Sequence, residues 1–206
     1  MNIFALMGCM PELEIKMNSE YYMGIIKAKL SEKRFTHSCN VSKEAVKLAA
    51  LYGADAEKAQ LAGLLHDIEK DTQGPTQLQT IEKYSIILDN VERSSPKLWH
   101  AIAGACVLRH EYDIDDEDIL NAVRYHTTAR AGMSLLEKVI YLADFISADR
   151  TFDGVKQLRE AIYASLDTGF KAALDFSIEE LVGKGAALHL DTVKARNELL
   201  CFYRLP

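Results

Sequence analysis

An all-α fold in a single compact domain is what this chain predicts, and three observations carry the prediction. Apolar residues recur at spacings of three and four along nearly the whole sequence, strictly alternating runs are scarce, and helix-start patterns punctuate the chain at intervals. A length of 206 residues suits one domain with a sizeable core. No internal repeat, low-complexity tract or linker divides it. Residues 1–16 read as a short extension of unknown role and 17–206 as the domain.

Tyr21, Tyr22, Ile25, Ile26 and Leu30 mark a first amphipathic helix. The next covers about 36–52, with Val41, Ala45 and Leu48 on one face and Gly53 as its stop. Asp55 is placed to cap the helix that carries Leu61, Leu64, Leu65 and Ile68, and Gly74-Pro75 marks a break. A weaker helix is expected over 76–88. Ser94-Ser95-Pro96 opens another, about 97–110, with Pro96 in its first turn. Asp115 or Asp116 caps a helix ending near His126, and Ser134-Leu135-Leu136-Glu137 is a capping box that starts one over 135–146. A second such pattern, Ser177-Ile178-Glu179-Glu180, predicts the start of the last helical region.

A net charge of −6 excludes a protein that coats a nucleic acid polymer, because binding to the phosphate backbone needs a strong positive field. A small anionic substrate remains compatible with local clusters of cations. The cysteines Cys9, Cys39, Cys106 and Cys201 have neither CxxC nor CxC spacing, so reduced thiols and a cytoplasmic location are expected. Leu6-Met7-Gly8-Cys9 has a passing likeness to a lipoprotein cleavage box, but no Lys or Arg precedes it and the apolar run is short. No stretch approaches the ~20 apolar residues of a membrane span. Homodimerisation is compatible with a compact enzyme, although no heptad or repeat points to it.

The chemistry gathers around Leu61-Ala62-Gly63-Leu64-Leu65-His66-Asp67-Ile68-Glu69-Lys70, an apolar run ending in an imidazole beside a carboxylate. Helical spacing puts His37 on the face of Val41, Ala45 and Leu48. By the same rule His100 joins Ala103, Gly104 and Val107; His126 joins Ile119, Ala122 and Val123; and Asp144 joins Leu136 and Ile140. Burying one such group without a partner costs a few kcal/mol, so five helices aiming donors inward imply a shared partner. A metal centre meets that need. Histidine and carboxylate donors without thiolates suit iron, manganese or zinc. Two metals about 3.5–4 Å apart, with Asp67 bridging, would polarise phosphoryl oxygens and activate a water. Taken singly, each histidine is more often a hydrogen-bonded core residue than a ligand; it is the ordered set that is specific. His110 lies ten residues beyond His100, about 15 Å along the same helix, too far to join the centre.

The order His37, His66-Asp67, Asp144 resembles the H...HD...D signature of the HD-domain phosphohydrolase superfamily, and His100 and His126 resemble the extra histidines of its members that support a second metal. Arg34-Phe35-Thr36-His37, Tyr125-His126-Thr127-Thr128, Tyr141-Leu142-Ala143-Asp144-Phe145-Ile146 and Arg150-Thr151-Phe152-Asp153-Gly154 are similar to the YqeK-type bacterial family. The resemblance implies a helical bundle of the HD-domain type and a symmetrical bis(5'-nucleosyl)-tetraphosphatase. Such enzymes cleave diadenosine tetraphosphate into two ADP at an iron centre, mono- or dinuclear, with manganese or another divalent cation as a substitute.

On this reading His37, His66, Asp67, His100, His126 and Asp144 hold the metal, and Asp67 and Lys70 are the catalytic pair. Arg34, Lys70, Arg150, Arg159, Thr127 and Thr128 meet the phosphates of a dinucleoside polyphosphate or nucleotide, joined by His100 and His126 if one metal is bound. Two departures from the family pattern flank the expected nucleotide pocket. Ala129 stands where glycine commonly follows the Thr-Thr pair, and Ser147-Ala148-Asp149 replaces a more usual Glu-Pro-Asn. The rival readings are a nucleotidase or (p)ppGpp-type hydrolase on the same scaffold, and a non-catalytic nucleotide-binding module.

Overall fold

The computed structural model describes residues 11–202, and the side chains of 19–201. Among the described residues run eleven α-helices and no strand: α1 (Pro11–Lys29), α2 (Glu32–Tyr52), α3 (Ala56–Leu65), α4 (Gly74–Lys83), α5 (Asn90–Ser94), α6 (Trp99–Glu111), α7 (Glu117–Tyr125), α8 (Leu135–Ile146), α9 (Val155–Ala164), α10 (Leu166–Gly183) and α11 (Leu190–Phe202). The expected boundary after residue 16 falls inside α1, which runs through it unbroken. Residues 1–10, with Cys9 and the Leu6-Met7-Gly8-Cys9 run, lie outside the described residues. No described helix is long and apolar enough to cross a membrane.

The helix ends follow their local chemistry. Gly53 stops α2 in the left-handed region, φ 81°, with its N–H donating to the Ala49 carbonyl. Asp55 caps α3 by accepting from the N–H groups of Glu57 and Lys58, and Asp116 does the same for α7. The capping box at Ser134 and Glu137 is formed at the start of α8. Pro96 opens a single 3-10 turn, Pro96–Leu98, that leads into α6. Two expectations are corrected. The helix expected over 76–88 is α4, which starts at Gly74 and ends at Lys83, and the short α5, with its own capping box from Asp89 to Glu92, follows it. The Ser177 pattern opens no helix: α10 passes straight through it, its true cap being Ser165. The Ser177 hydroxyl instead meets the buried Tyr141 hydroxyl at 3.2 Å, a tertiary contact that no local pattern announces.

Helix α2 packs most extensively on α3 and then on α8, while α7 packs on α3, α6 and α8. These five helices surround a core of Leu48, Leu64, Leu65, Ile68, Ile140 and Leu142, all fully buried. Helices α9 to α11 close one side, where Phe170 of α10 stands edge-on to Tyr141 at 5.4 Å. The close approach of α2 to α3 depends on Gly63: a Cβ there would lie 2.8 Å from the Ser42 Cα. Gly63→Ala must push the two helices apart, a misfit costing about 1–3 kcal/mol. A drop in melting temperature of several degrees is expected by thermal unfolding, with weakened metal uptake because α2 carries His37 and α3 delivers His66.

Candidate metal centre

Six polar side chains meet in the middle of this packing. His37 comes from the second turn of α2, His66 from the C-terminal cap of α3 and Asp67 from the turn beyond it. His100 comes from the first turn of α6, His126 from the C-terminal cap of α7 and Asp144 from the last turns of α8. All but Asp144 are buried.

Helices α3 and α7 deliver their histidines by the same device. The ring Nδ1 of His66 lies 2.7 Å from the Gly63 carbonyl, and that of His126 lies 2.7 Å from the Val123 carbonyl. Each ring donates back to an oxygen three residues earlier, satisfying an acceptor that a helix end leaves open. The proton is thereby fixed on Nδ1, and the lone pair of Nε2 faces inward. For His37 the partner is a carboxylate. Its Nδ1 is 2.8 Å from Asp149 Oδ2, while Asp149 Oδ1 accepts from the Asn40 amide at 3.1 Å.

The inward atoms form two groups that share Asp67, and His126 links them by lying within 4.8 Å of donor atoms of both His66 and Asp144. His37 Nε2 is 2.9 Å from Asp144 Oδ1, and His66 Nε2 is 4.0 Å from Asp144 Oδ1 and 3.7 Å from Asp67 Oδ2. Asp67 Oδ1 lies 3.2 Å from His100 Nε2 and 3.5 Å from His126 Nε2, and those two nitrogens are 3.2 Å apart. One oxygen of Asp67 thus faces each group, the placement a bridging ligand needs.

Burial pushes the His66 and His100 imidazoles down to about 4, so both are neutral near pH 7, the state a ligand requires. Burial pushes the Asp67 carboxyl up, but the surrounding His66, His100, His126 and Lys70 hold it well below the usual range. Asp144 is likewise held low against burial by His37 and Arg150. His37 is raised because hydrogen bonds and charge from Asp144 and Asp149 outweigh its burial.

A cation fits this set on an observation independent of donor type. His66 Nε2 is buried with no hydrogen-bond partner, which is costly, and the buried Asp67 Oδ1 has ion-pair contacts but no hydrogen bond of acceptable geometry. His37, His66 and Asp67 offer donor atoms within 4.8 Å of one another, as do Asp67, His100 and His126.

The model of the HD domain family matches residues 34–149, a span that includes all six donors. The chain belongs to the HD domain family. It is 37% identical over 184 residues to a symmetrical bis(5'-nucleosyl)-tetraphosphatase of Halalkalibacterium halodurans, covering 89% of this chain and 98% of the relative. The Bacillus subtilis protein of the same name is 36% identical over 187 residues, with the same coverage. Among solved structures, an HD superfamily hydrolase of Clostridium acetobutylicum described as involved in NAD metabolism superposes with a TM-score of 0.86 at 38% identity, over 89% of this chain and 97% of that one.

Around the donors of this HD domain the expected phosphate contacts take different places. Lys70 Nζ lies 2.9 Å from His100 Nε2 and 3.3 Å from Asp67 Oδ1. Arg34 reaches to 3.7 Å from Asp67 Oδ2 with its side chain partly open to solvent. Arg150 donates from Nε to the Asp144 carbonyl at 2.7 Å and from Nη2 to the Asp144 carboxylate. Thr127 and Thr128 each bury a hydroxyl oxygen that has no partner. Arg159 hydrogen-bonds the main chain. Its guanidinium donates to the carbonyls of Ile146, Ser147 and Arg150, which pins the turn carrying Asp149 and Arg150. Arg130 makes a two-pronged pair with the buried Glu137, at 2.7 and 2.6 Å.

Ala129 sits fully buried at φ 57°, a left-handed conformation that glycine adopts without strain. His110 stacks on Tyr84 with ring centroids 4.1 Å apart, away from the donors. His189 accepts from the Asp191 N–H through Nδ1 at 3.2 Å, which leaves its proton on Nε2 facing Asp89 at 3.4 Å and Glu92 at 3.7 Å. With Asp89 and Glu92 it forms a second set of donors within 4.8 Å of one another, apart from the six.

Asp149 is the residue that sequence reasoning noticed only as a departure. Asn40, one helical turn after His37, shares the Asp149 carboxylate, but nothing local points from it to position 149. Asp149→Ala should free the His37 ring and weaken metal affinity roughly 10–100-fold, while Asp149→Asn, which keeps an acceptor, restores most of it. Metal titration of the stripped variants reads the difference.

Proposed function

We propose that the chain hydrolyses diadenosine tetraphosphate symmetrically, adding one water across the central P–O–P bridge to release two ADP. The observation that carries this reading is Asp67, whose two oxygens face two separate sets of nitrogen donors in a cradle ringed by cations. The likeness to symmetrical tetraphosphatases of two bacteria, over 89% of this chain, supports the choice of substrate.

His37, His66, Asp67 and Asp144 would hold one cation, and His100 and His126, with Asp67 bridging, a second. We take iron as the resident metal, with manganese accepted by the same nitrogen and oxygen donors. When bound, such a cation polarises phosphoryl oxygens and makes a water nucleophilic at neutral pH. The rest falls to the protein. Asp67 stays ionised, because its neighbours hold its carboxyl low. Arg150 keeps Asp144 oriented, and Arg159 keeps the Arg150 turn in place. Arg34 and Lys70 offset negative charge that grows on the phosphoryl oxygens as the bridge breaks. The unpartnered hydroxyls of Thr127 and Thr128 are donors for the same oxygens.

Incubating the iron- or manganese-loaded chain with diadenosine tetraphosphate should yield ADP alone. Formation of ATP with AMP would replace symmetrical by asymmetrical cleavage. Turnover confined to nucleoside monophosphates, to guanosine tetraphosphate or to a dinucleoside diphosphate such as NAD would move the chain to a different substrate class.

A further inference from the structure

The two halves of the site differ in what an arriving cation meets. In the first half His66 Nε2 is buried and unpartnered, and Arg150 Nη2 stands 3.5 Å from His37 Nε2 while pairing with the Asp144 carboxylate. In the second, the Nε2 of His100 already accepts a hydrogen bond from the Lys70 ammonium at 2.9 Å. The same ammonium lies 3.3 Å from Asp67 Oδ1, so it touches two of the three donors in the Asp67, His100 and His126 group. An imidazole nitrogen has one lone pair and cannot serve an ammonium and a metal together. Lys70 is held at the site by its own backbone, its N–H donating to the Asp67 carbonyl at 2.9 Å. Its side chain is 27% exposed, which leaves it room to swing outward.

We propose that Lys70 is a built-in cation for the His100–His126 half, and that a second metal ion enters only by displacing its ammonium. The two halves then load unequally. The half built on His37, His66 and Asp144 fills first, and the other fills weakly until an anion such as a substrate phosphate draws Lys70 away. Arg150 blocks its half less tightly. Its contact with His37 Nε2 is 3.5 Å, against 2.9 Å for Lys70 on His100, His66 Nε2 stays free beside it, and it is anchored on the Asp144 main-chain carbonyl.

This inference rests on the proposed metal-binding reading, and the test separates the two. Metal-stripped wild-type chain, Lys70→Met and Arg34→Met are titrated with manganese alone, by calorimetry and by counting ions retained per chain. Arg34 is the control for simple charge removal, since it approaches Asp67 at 3.7 Å without touching His100. Wild type should show one tight and one weak site. Lys70→Met should tighten the weak site at least tenfold and leave the tight one nearly unchanged, whereas Arg34→Met should not favour the weak site. His100→Ala should abolish the weak site with Lys70 present or replaced. An unchanged or weaker second site in Lys70→Met, with the first intact, overturns the proposal and leaves the metal centre standing. Absence of manganese binding in every protein, wild type included, overturns the metal centre itself.

Discussion

Asp67→Ala should abolish turnover and metal retention together. The carboxylate offers an oxygen to each set of nitrogens, so its loss removes a ligand from both. It also leaves Arg34, Lys70 and the neighbouring histidines without their shared counter-charge. A fall in kcat/KM of roughly 10³-fold or more is expected, since a single preorganised electrostatic contact is commonly worth about 10²–10³. Steady-state rates and metal content measured on the same sample check it. Asp67→Asn keeps the shape but loses the charge, and should fall nearly as far. Turnover close to wild type in either variant would contradict the shared-ligand role.

The second large effect is acid lability of the metal-free chain. Burial holds His66 and His100 at about 4, against about 6.5 in an unfolded chain. Their contribution to folding is complete above pH ~6.5 and is lost as pH falls toward 4, because the unfolded chain accepts protons that the native rings refuse. His37 works in the other direction. Its raised value stabilises the fold below ~6.5 and that contribution fades as pH rises through its folded value. Asp67 and Asp144, held low, add stability above about 3.8 that disappears only at still lower pH. Two groups against one give a net loss on the order of a few kcal/mol between pH 6.5 and 4. Melting temperatures of chelator-treated protein should therefore drop across that window. Metal-loaded protein should resist until protons displace the ion from its ligands. A melting temperature of the metal-free chain that stays flat from pH 7 to 5 would contradict the burial of neutral imidazoles.

The donors were legible in the sequence because a polar residue on an apolar helical face is costly, and the chain repeats that anomaly on several helices at once. The caps at Asp55, Asp116 and Ser134 were legible for a simpler reason, since each is a contact between residues two or three apart. Other features depend on partners distant in the chain. Ser177 carries a local helix-start pattern, but α10 is packed against α8 and α9, and that packing carries the helix through it. Arg159 gives no local sign of the three carbonyls its guanidinium donates to, which belong to residues nine to thirteen positions away. Asp149 and His37 are more than a hundred positions apart, beyond the reach of any spacing rule.

The manner in which the rings are anchored bears on which changes the site tolerates. His66 and His126 lean on main-chain oxygens, and every amino acid carries that oxygen. Sequence drift at positions 63 and 123 can disturb packing without removing either anchor. His37 leans on a side chain, and one codon change at position 149 erases it. Mutational robustness is therefore uneven within one small constellation, with two orientations written into the backbone and a third that selection has to maintain.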